Sequence, residues 1–238
     1  MPGLARTLSK LGYCSRAQAA ELICAGKVRV NGGVRRDPET PVRLGKDRIE
    51  VEGQQLAAAE KIHLALNKPR GIVTTAADEK GRDTVYSLLG AEVPWVAPVG
   101  RLDKASEGLL LLTNDSEWAA RVTAPETHLE KTYHVQIGRI ADVALIEALQ
   151  QGVRTKEGET LRVKSASLLR QGERNSWLEI ILDEGKNRHI RRMLETLGIE
   201  VLRLIRVAIG PLGLGDLAKG SVRPLTSDEK LALDRAMR

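Results

Sequence analysis

Leu4, Leu8 and Leu11 recur at the spacing of one helical face, and Gly12 ends the run. Ser15 then offers an N-cap for a second predicted helix, with Ala19, Ala20, Leu22 and Ile23 on its apolar side and Gly26 closing it. Here the period changes from about four to two. Val28 and Val30 alternate with Lys27, Arg29 and Asn31, a strand that runs into an Asn31-Gly32 turn. Arg48-Ile49-Glu50-Val51 repeats the alternation, whereas Gln54–Glu60 carries neither period and reads as a linker.

A second block begins near Lys61. Ile62–Leu66 alternates as a strand and enters the turn-like Asn67-Lys68-Pro69-Arg70-Gly71. Leu109–Leu112 is apolar at every position, the mark of a strand buried on both faces, and Asn114-Asp115 ends it. Further on, Lys131–Ile137 and Trp177–Leu182 read as strands. Helices are predicted over Ala141–Gln150, closed by Gly152, and from about Asn187 to Leu197, ending at Gly198. Strands and helices alternate irregularly, which predicts an α+β fold with a mixed, mainly antiparallel sheet, not a doubly wound parallel one. The predicted organisation is a small N-terminal domain over residues 1–53, a linker over 54–60 and a larger domain over 61–238.

The 238 residues include three Trp, three Tyr and no Phe, so the core must be built from Leu, Ile, Val and Ala. The formal charge of +6 favours a polyanionic partner without demanding one. Cys14 and Cys24, with no apolar leader ahead of them, point to reduced thiols and a cytoplasmic protein. No apolar run approaches membrane-spanning length, and the four His and two Cys are too scattered for a zinc site. Neither a P-loop nor a dinucleotide-binding glycine motif is present; Gly213-Leu214-Gly215 is an isolated GxG. A methyltransferase, which needs a glycine-rich nucleotide loop after a strand, is disfavoured on the same ground.

The candidate chemistry centres on Gly100-Arg101-Leu102-Asp103. It is followed by a short polar loop and the apolar strand, so that Asp103 sits on a loop anchored by rigid core. Taken alone, such an Asp is better explained as a turn former, a helix cap or a salt-bridge partner of Arg101. Its context is more specific. Gly100–Asp103 with Ser106–Asp115 resembles the central motif of the pseudouridine synthases of the ribosomal small-subunit and large-subunit branch. Asn67–Gly71, Lys131-Thr132-Tyr133, Glu184–Met193 and Leu204–Leu212 are similar to that family's other motifs, in order. The N-terminal order of helix, Ser-Arg, helix and Gly-Lys-Val-Arg-Val-Asn-Gly resembles the S4 RNA-binding domain.

These resemblances imply a cofactor-free and metal-free isomerase. It flips a uridine out of its stack, breaks the N1–C1′ bond, rotates the uracil and rejoins it through C5. They imply Asp103 as the catalytic carboxylate, either adding covalently or promoting a proton transfer at the sugar. Arg191 would hold that carboxylate charged and aimed, Tyr133 would stack on the target base, and Arg101 would brace the loop or contact the nucleotide's backbone. In the S4-like domain the implied RNA contacts are Arg6, Lys10, Ser15, Arg16, Lys27 and Arg29. In the larger domain they are Lys68, Arg70, Lys131, Lys186, Arg188 and Arg192. The implied partner is ribosomal RNA or a ribosomal subunit assembly intermediate, with 23S preferred to 16S, bound by a monomer away from any membrane. A non-catalytic S4-type RNA-binding or ribosome-assembly factor is the alternative. Lys104, Ala97 and His189 depart from the family's usual residues, which bears on the RNA target and not on the chemistry.

Overall fold

The computed structural model describes residues 1–57, 59–75 and 81–237. The chain divides into two compact units. One comprises Met1–His63, Gly90–Ala97 and Leu112–Ala119; the other comprises Leu64–Leu89, Pro98–Leu111 and Ala120–Arg238.

The N-terminal unit opens with α1 (Leu4–Lys10) and α2 (Arg16–Cys24), followed by β1 (Val28–Val30), β2 (Gly33–Arg35), β3 (Ile49–Val51) and β4 (Gln54–Gln55). The four strands form one sheet in the order β2-β1-β3-β4. Leu4, Leu8, Ala19 and Ile23 from the helices meet Val28, Val30, Ile49 and Val51 from the strands in a single core. The predicted Ser15 cap is present, and Gln18 completes it as a capping box.

Within the predicted linker, several described residues are tied to other segments. Gln54 and Gln55 pair with β3, and the Leu56 amide donates to the Ile49 carbonyl at 2.9 Å. The Ala59 amide donates to the Leu11 carbonyl at 3.0 Å. Asn114 fastens the end of the segment, accepting from the Ile62 amide at 2.9 Å and donating to the Glu60 carbonyl at 2.8 Å. A polar side chain far along the chain supplies the partners that a local pattern cannot reveal. Ala58 lies outside the described residues, as does Arg238 at the end of the larger predicted domain.

The remaining elements are β5 (His63–Lys68), β6 (Ala97–Val99), β7 (Glu107–Thr113), α3 (Ser116–Thr123), β8 (Lys131–Ile137), α4 (Val143–Gln151), β9 (Val153–Arg154), β10 (Thr160–Leu161), β11 (Ser165–Gln171), β12 (Ser176–Leu182), α5 (His189–Thr196), β13 (Val201–Ile209), β14 (Leu212–Gly213), β15 (Val222–Pro224) and α6 (Ser227–Ala236). A nine-stranded sheet runs β11-β12-β8-β13-β7-β5-β15, with β14 on β13 and β6 on β7. β7 and β13 pair in parallel, whereas β11, β12, β8 and β13 are successively antiparallel. The fold is therefore the mixed α+β arrangement expected. β7 is buried at every position, as its unbroken apolar run predicts.

On β8, Lys131, Tyr133, Val135 and Ile137 share one face. Val135 and Ile137 pack in a core with Leu145 and Leu149 of α4 and with Ile190, Met193 and Leu194 of α5. Toward Lys131 and Tyr133 the same face lines an open cavity. Among the described residues, no helix is long and apolar enough to cross a membrane.

Candidate active site

Asp103 lies on a loop held from several sides. The Lys68 side chain, 0% exposed, reaches under it from the end of β5. Its Nζ donates to the carbonyls of Pro69 at 3.0 Å, Asp103 at 3.2 Å and Ser106 at 2.8 Å. Three acceptors match the three hydrogens of an ammonium group. Burial pushes this ammonium down to about 8, against the fields of Asp103 and Glu107, which favour its charge. The Thr74 hydroxyl donates to the Leu102 carbonyl at 2.8 Å, and the Gly71 amide donates to the Lys104 carbonyl at 2.8 Å. The Ser106 amide closes the turn onto the Asp103 carbonyl at 2.9 Å.

With its backbone so held, Asp103 turns a carboxylate that is 38% exposed toward the cavity. Arg191 approaches from the first turn of α5, with Nε 4.0 Å from Asp103 Oδ2. Its Nη2 donates to the Ala105 carbonyl at 3.1 Å, so the guanidinium meets both the acid and its loop. The cavity holds about 490 Å³, within the range of sites for small ligands. Its sheet wall carries Lys131 and Tyr133 from β8 and Arg206 from β13, the cross-strand partner of Tyr133. Arg206 is paired on its other side with Gly108 of β7. A Cβ at Gly108 would lie 2.3 Å from the Arg206 carbonyl oxygen, and the backbone φ there is +101°, so glycine permits the strands to approach.

A carboxylate beside an arginine and opposite a tyrosine, in a cavity of nucleoside size, is the arrangement that the sequence motifs anticipate. Comparison with known proteins bears on the family. The family described as RNA pseudouridylate synthase matches residues 62–196, and the S4 domain matches residues 3–49. The chain is 38% identical over 230 residues to a protein of Bacillus subtilis named ribosomal large subunit pseudouridine synthase B, covering 96% of this chain and 94% of that one. The chain belongs to the RNA pseudouridylate synthase family.

An Aquifex aeolicus protein named as an uncharacterized RNA pseudouridine synthase is 36% identical over 231 residues, covering 97% of this chain and 92% of that one. The crystal structure of a pseudouridylate synthase is similar over 98% of this chain and 100% of that one, with a TM-score of 0.68 and 30% identity.

In this pseudouridine synthase the residues expected at the site divide into groups. Asp103, Tyr133, Arg191, Arg101, Lys131, Lys186 and Arg188 all line the cavity. Arg101 is exposed and has no hydrogen bond or ion pair among the described residues; Lys68, Thr74 and Arg191 brace the loop instead. Lys186 is exposed and paired with Glu184 at 3.0 Å. Arg188 is exposed in a left-handed backbone conformation ahead of α5, and Arg70 is exposed with Nη1 3.4 Å from the Leu202 carbonyl.

Lys68 is a correction: it is buried beneath the loop and cannot meet a phosphate. Its neighbours read as a turn, but Asn67 and Lys68 continue β5, and alternation carries Lys68 inward. Arg192 stands apart from these residues. It bonds Glu159 at 2.8 Å and does not line the cavity, because the next residue along a helix points about 100° away.

In the N-terminal unit Arg6, Arg16, Lys27 and Arg29 are exposed. Lys27 bonds Glu52 at 2.7 Å, Lys10 bonds Glu117 at 3.0 Å, and Arg29 lies 3.3 Å from the Gly32 carbonyl. The Ser15 hydroxyl is engaged in capping α2. Arg206 was not anticipated. Its sequence signal is a lone arginine inside the apolar run Leu204–Ile209, where a charge needs a reason.

Proposed function

We propose that this chain isomerises one uridine of ribosomal RNA to pseudouridine, in the large subunit in preference to the small. The juxtaposition of Asp103 with Arg191 across a cavity that also presents Tyr133 carries this reading. The named Bacillus subtilis relative and the S4 match support ribosomal RNA as the substrate.

In this reading the target uridine leaves its helix and enters the cavity, where Tyr133 stacks on the base. Such stacking is worth roughly 1–3 kcal/mol and offsets part of the unstacking cost. Arg191 keeps Asp103 directed at the sugar. The carboxylate then either adds covalently or promotes a proton transfer at the sugar. The glycosidic bond breaks, the uracil rotates, and C5 bonds to C1′. Arg6, Arg16 and Arg29 in the N-terminal unit, Arg70 after β5, and Arg101, Arg188 and Lys186 around the cavity contact phosphates. The protein acts as a cytoplasmic monomer on ribosomal RNA or a subunit assembly intermediate.

A chemical map of pseudouridine in 16S, 23S and transfer RNA, with and without the gene, tests the reading. One site in 23S RNA is expected to vanish and to return with the wild-type gene but not with Asp103→Asn. An unchanged map would refute it.

A further inference from the structure

Lys131 and Arg206 share the cavity face of the sheet. Lys131 stands two residues before Tyr133 on β8, and Arg206 is opposite Tyr133 on β13. Their charges oppose one another. Burial and the Arg206 guanidinium both push the Lys131 ammonium below its ordinary range, while Asp183 acts in its favour. Neither cation is in an ion pair within 4.0 Å among the described residues. Arg206, 5% exposed, uses Nε on the Leu109 carbonyl at 2.7 Å and leaves its buried Nη2 without an acceptor. Two cations set together in a partly desolvated wall, one with an unmet donor, are costly. Such an arrangement calls for negative charge arriving with the substrate.

We propose that Lys131, with Arg206 as its positioning residue, stabilises the negative charge on the uracil ring when the N1–C1′ bond breaks. This rests on the pseudouridine synthase reading of the cavity. Whichever route Asp103 takes, the electron pair of the glycosidic bond stays with the uracil and spreads over N1, O2 and O4. It is withdrawn again when C5 bonds to C1′, after which the C5 proton leaves to solvent and N1 takes up a proton. A charge that exists only between those two events is stabilised most effectively by a cation fixed in advance. The Arg206 guanidinium, on the same cavity wall, repels the Lys131 ammonium. A phosphate partner fits less well. The exposed Arg70, Arg101 and Arg188 are placed for the backbone, whereas Lys131 is half-buried beside the tyrosine proposed to hold the base.

The test uses the full chain in excess over unmodified 23S RNA carrying tritium at uridine C5, with label release read in a single turnover. Wild type must release label; if it does not, the synthase reading itself fails and not merely this proposal. Lys131→Met is expected to slow release on the order of 10²–10³-fold. Its affinity for the same RNA, measured by filter binding, should change by less than about threefold. Lys131→Arg should restore most of the rate, and Arg206→Lys should fall between. RNA carrying 5-fluorouridine separates this role from a structural one. Fluorine stabilises the uracil anion, so the deficit of Lys131→Met in glycosidic cleavage, followed by chromatography of digested nucleosides, should shrink. A rate within threefold of wild type would overturn the proposal, as would weaker binding at an unchanged rate or an equal deficit on fluorinated RNA. Should Lys131→Met not fold, Lys131→Gln against Lys131→Arg makes the same comparison.

Discussion

The cations of the N-terminal unit and those of the cavity differ in what surrounds them. Arg6 and Arg16 stand in water, and Lys27 meets only the equally exposed Glu52. Each can turn toward a phosphate, and each is screened by salt. Around the site, Arg191 is 13% exposed and bonded to Ala105 beside Asp103, Lys68 is enclosed by three carbonyls beneath the loop, and Arg206 is 5% exposed. A cation in water contributes affinity, whereas a cation held in protein contributes position. Loss of the first kind should appear in binding and its salt dependence, and loss of the second in the rate after binding.

The largest separation is expected from Asp103→Asn, which should lose on the order of 10³-fold or more in single-turnover label release at unchanged RNA affinity. An equal loss of affinity would remove the distinction between chemistry and binding. Lys68→Met tests position directly. The Asp103 and Ser106 carbonyls lose their donor, and displacement of the loop by about 1 Å should cost on the order of 10²-fold in rate.

That variant also carries a pH signature. The folded ammonium of Lys68, near 8, titrates below its unfolded value, so between the two the unfolded chain binds more protons. The Lys68 contribution to stability therefore rises with pH across that window. The gap in denaturant stability between wild type and Lys68→Met should widen by roughly 1–3 kcal/mol from pH 7 to 10. A constant gap would mean that Lys68 keeps its proton throughout.

A smaller effect is expected from replacing Arg6 and Arg16 together with alanine. Affinity should fall several-fold and the slope of log K against log salt should drop by roughly 1–2, with the rate at saturating RNA unchanged. Smallest of all, Arg192→Gln should change rate and affinity by less than about twofold, because its partner is Glu159 and not the substrate. A larger loss of affinity would return Arg192 to the RNA surface.

Much of the molecule is legible along the chain where period and capping act locally. The α1–α2 pair, the Ser15 cap and the buried β7 all follow from spacing. The ends of elements are less so. The predicted helix over Ala141–Gln150 is α4 over Val143–Gln151, because Asp142 caps it by accepting from the Leu145 amide at 2.8 Å. Short strands such as β9, β10, β14 and β15 have too few residues to display a period and are stabilised by their partners.

The same division runs through the candidate site. The residue types that could carry the chemistry, Asp103, Tyr133 and Arg191, were readable because their motifs are contiguous. The roles proposed for them rest on family resemblance and not on any local rule. That Lys68 lies beneath the Asp103 loop, that Arg192 turns to Glu159, and that Arg206 stands opposite Tyr133 were decided by strand register and helix phase in the folded chain. Pattern in a sequence reports what each segment must bury. Which polar groups a lysine or arginine then meets depends on segments 30 to 100 residues away, and only packing brings those together.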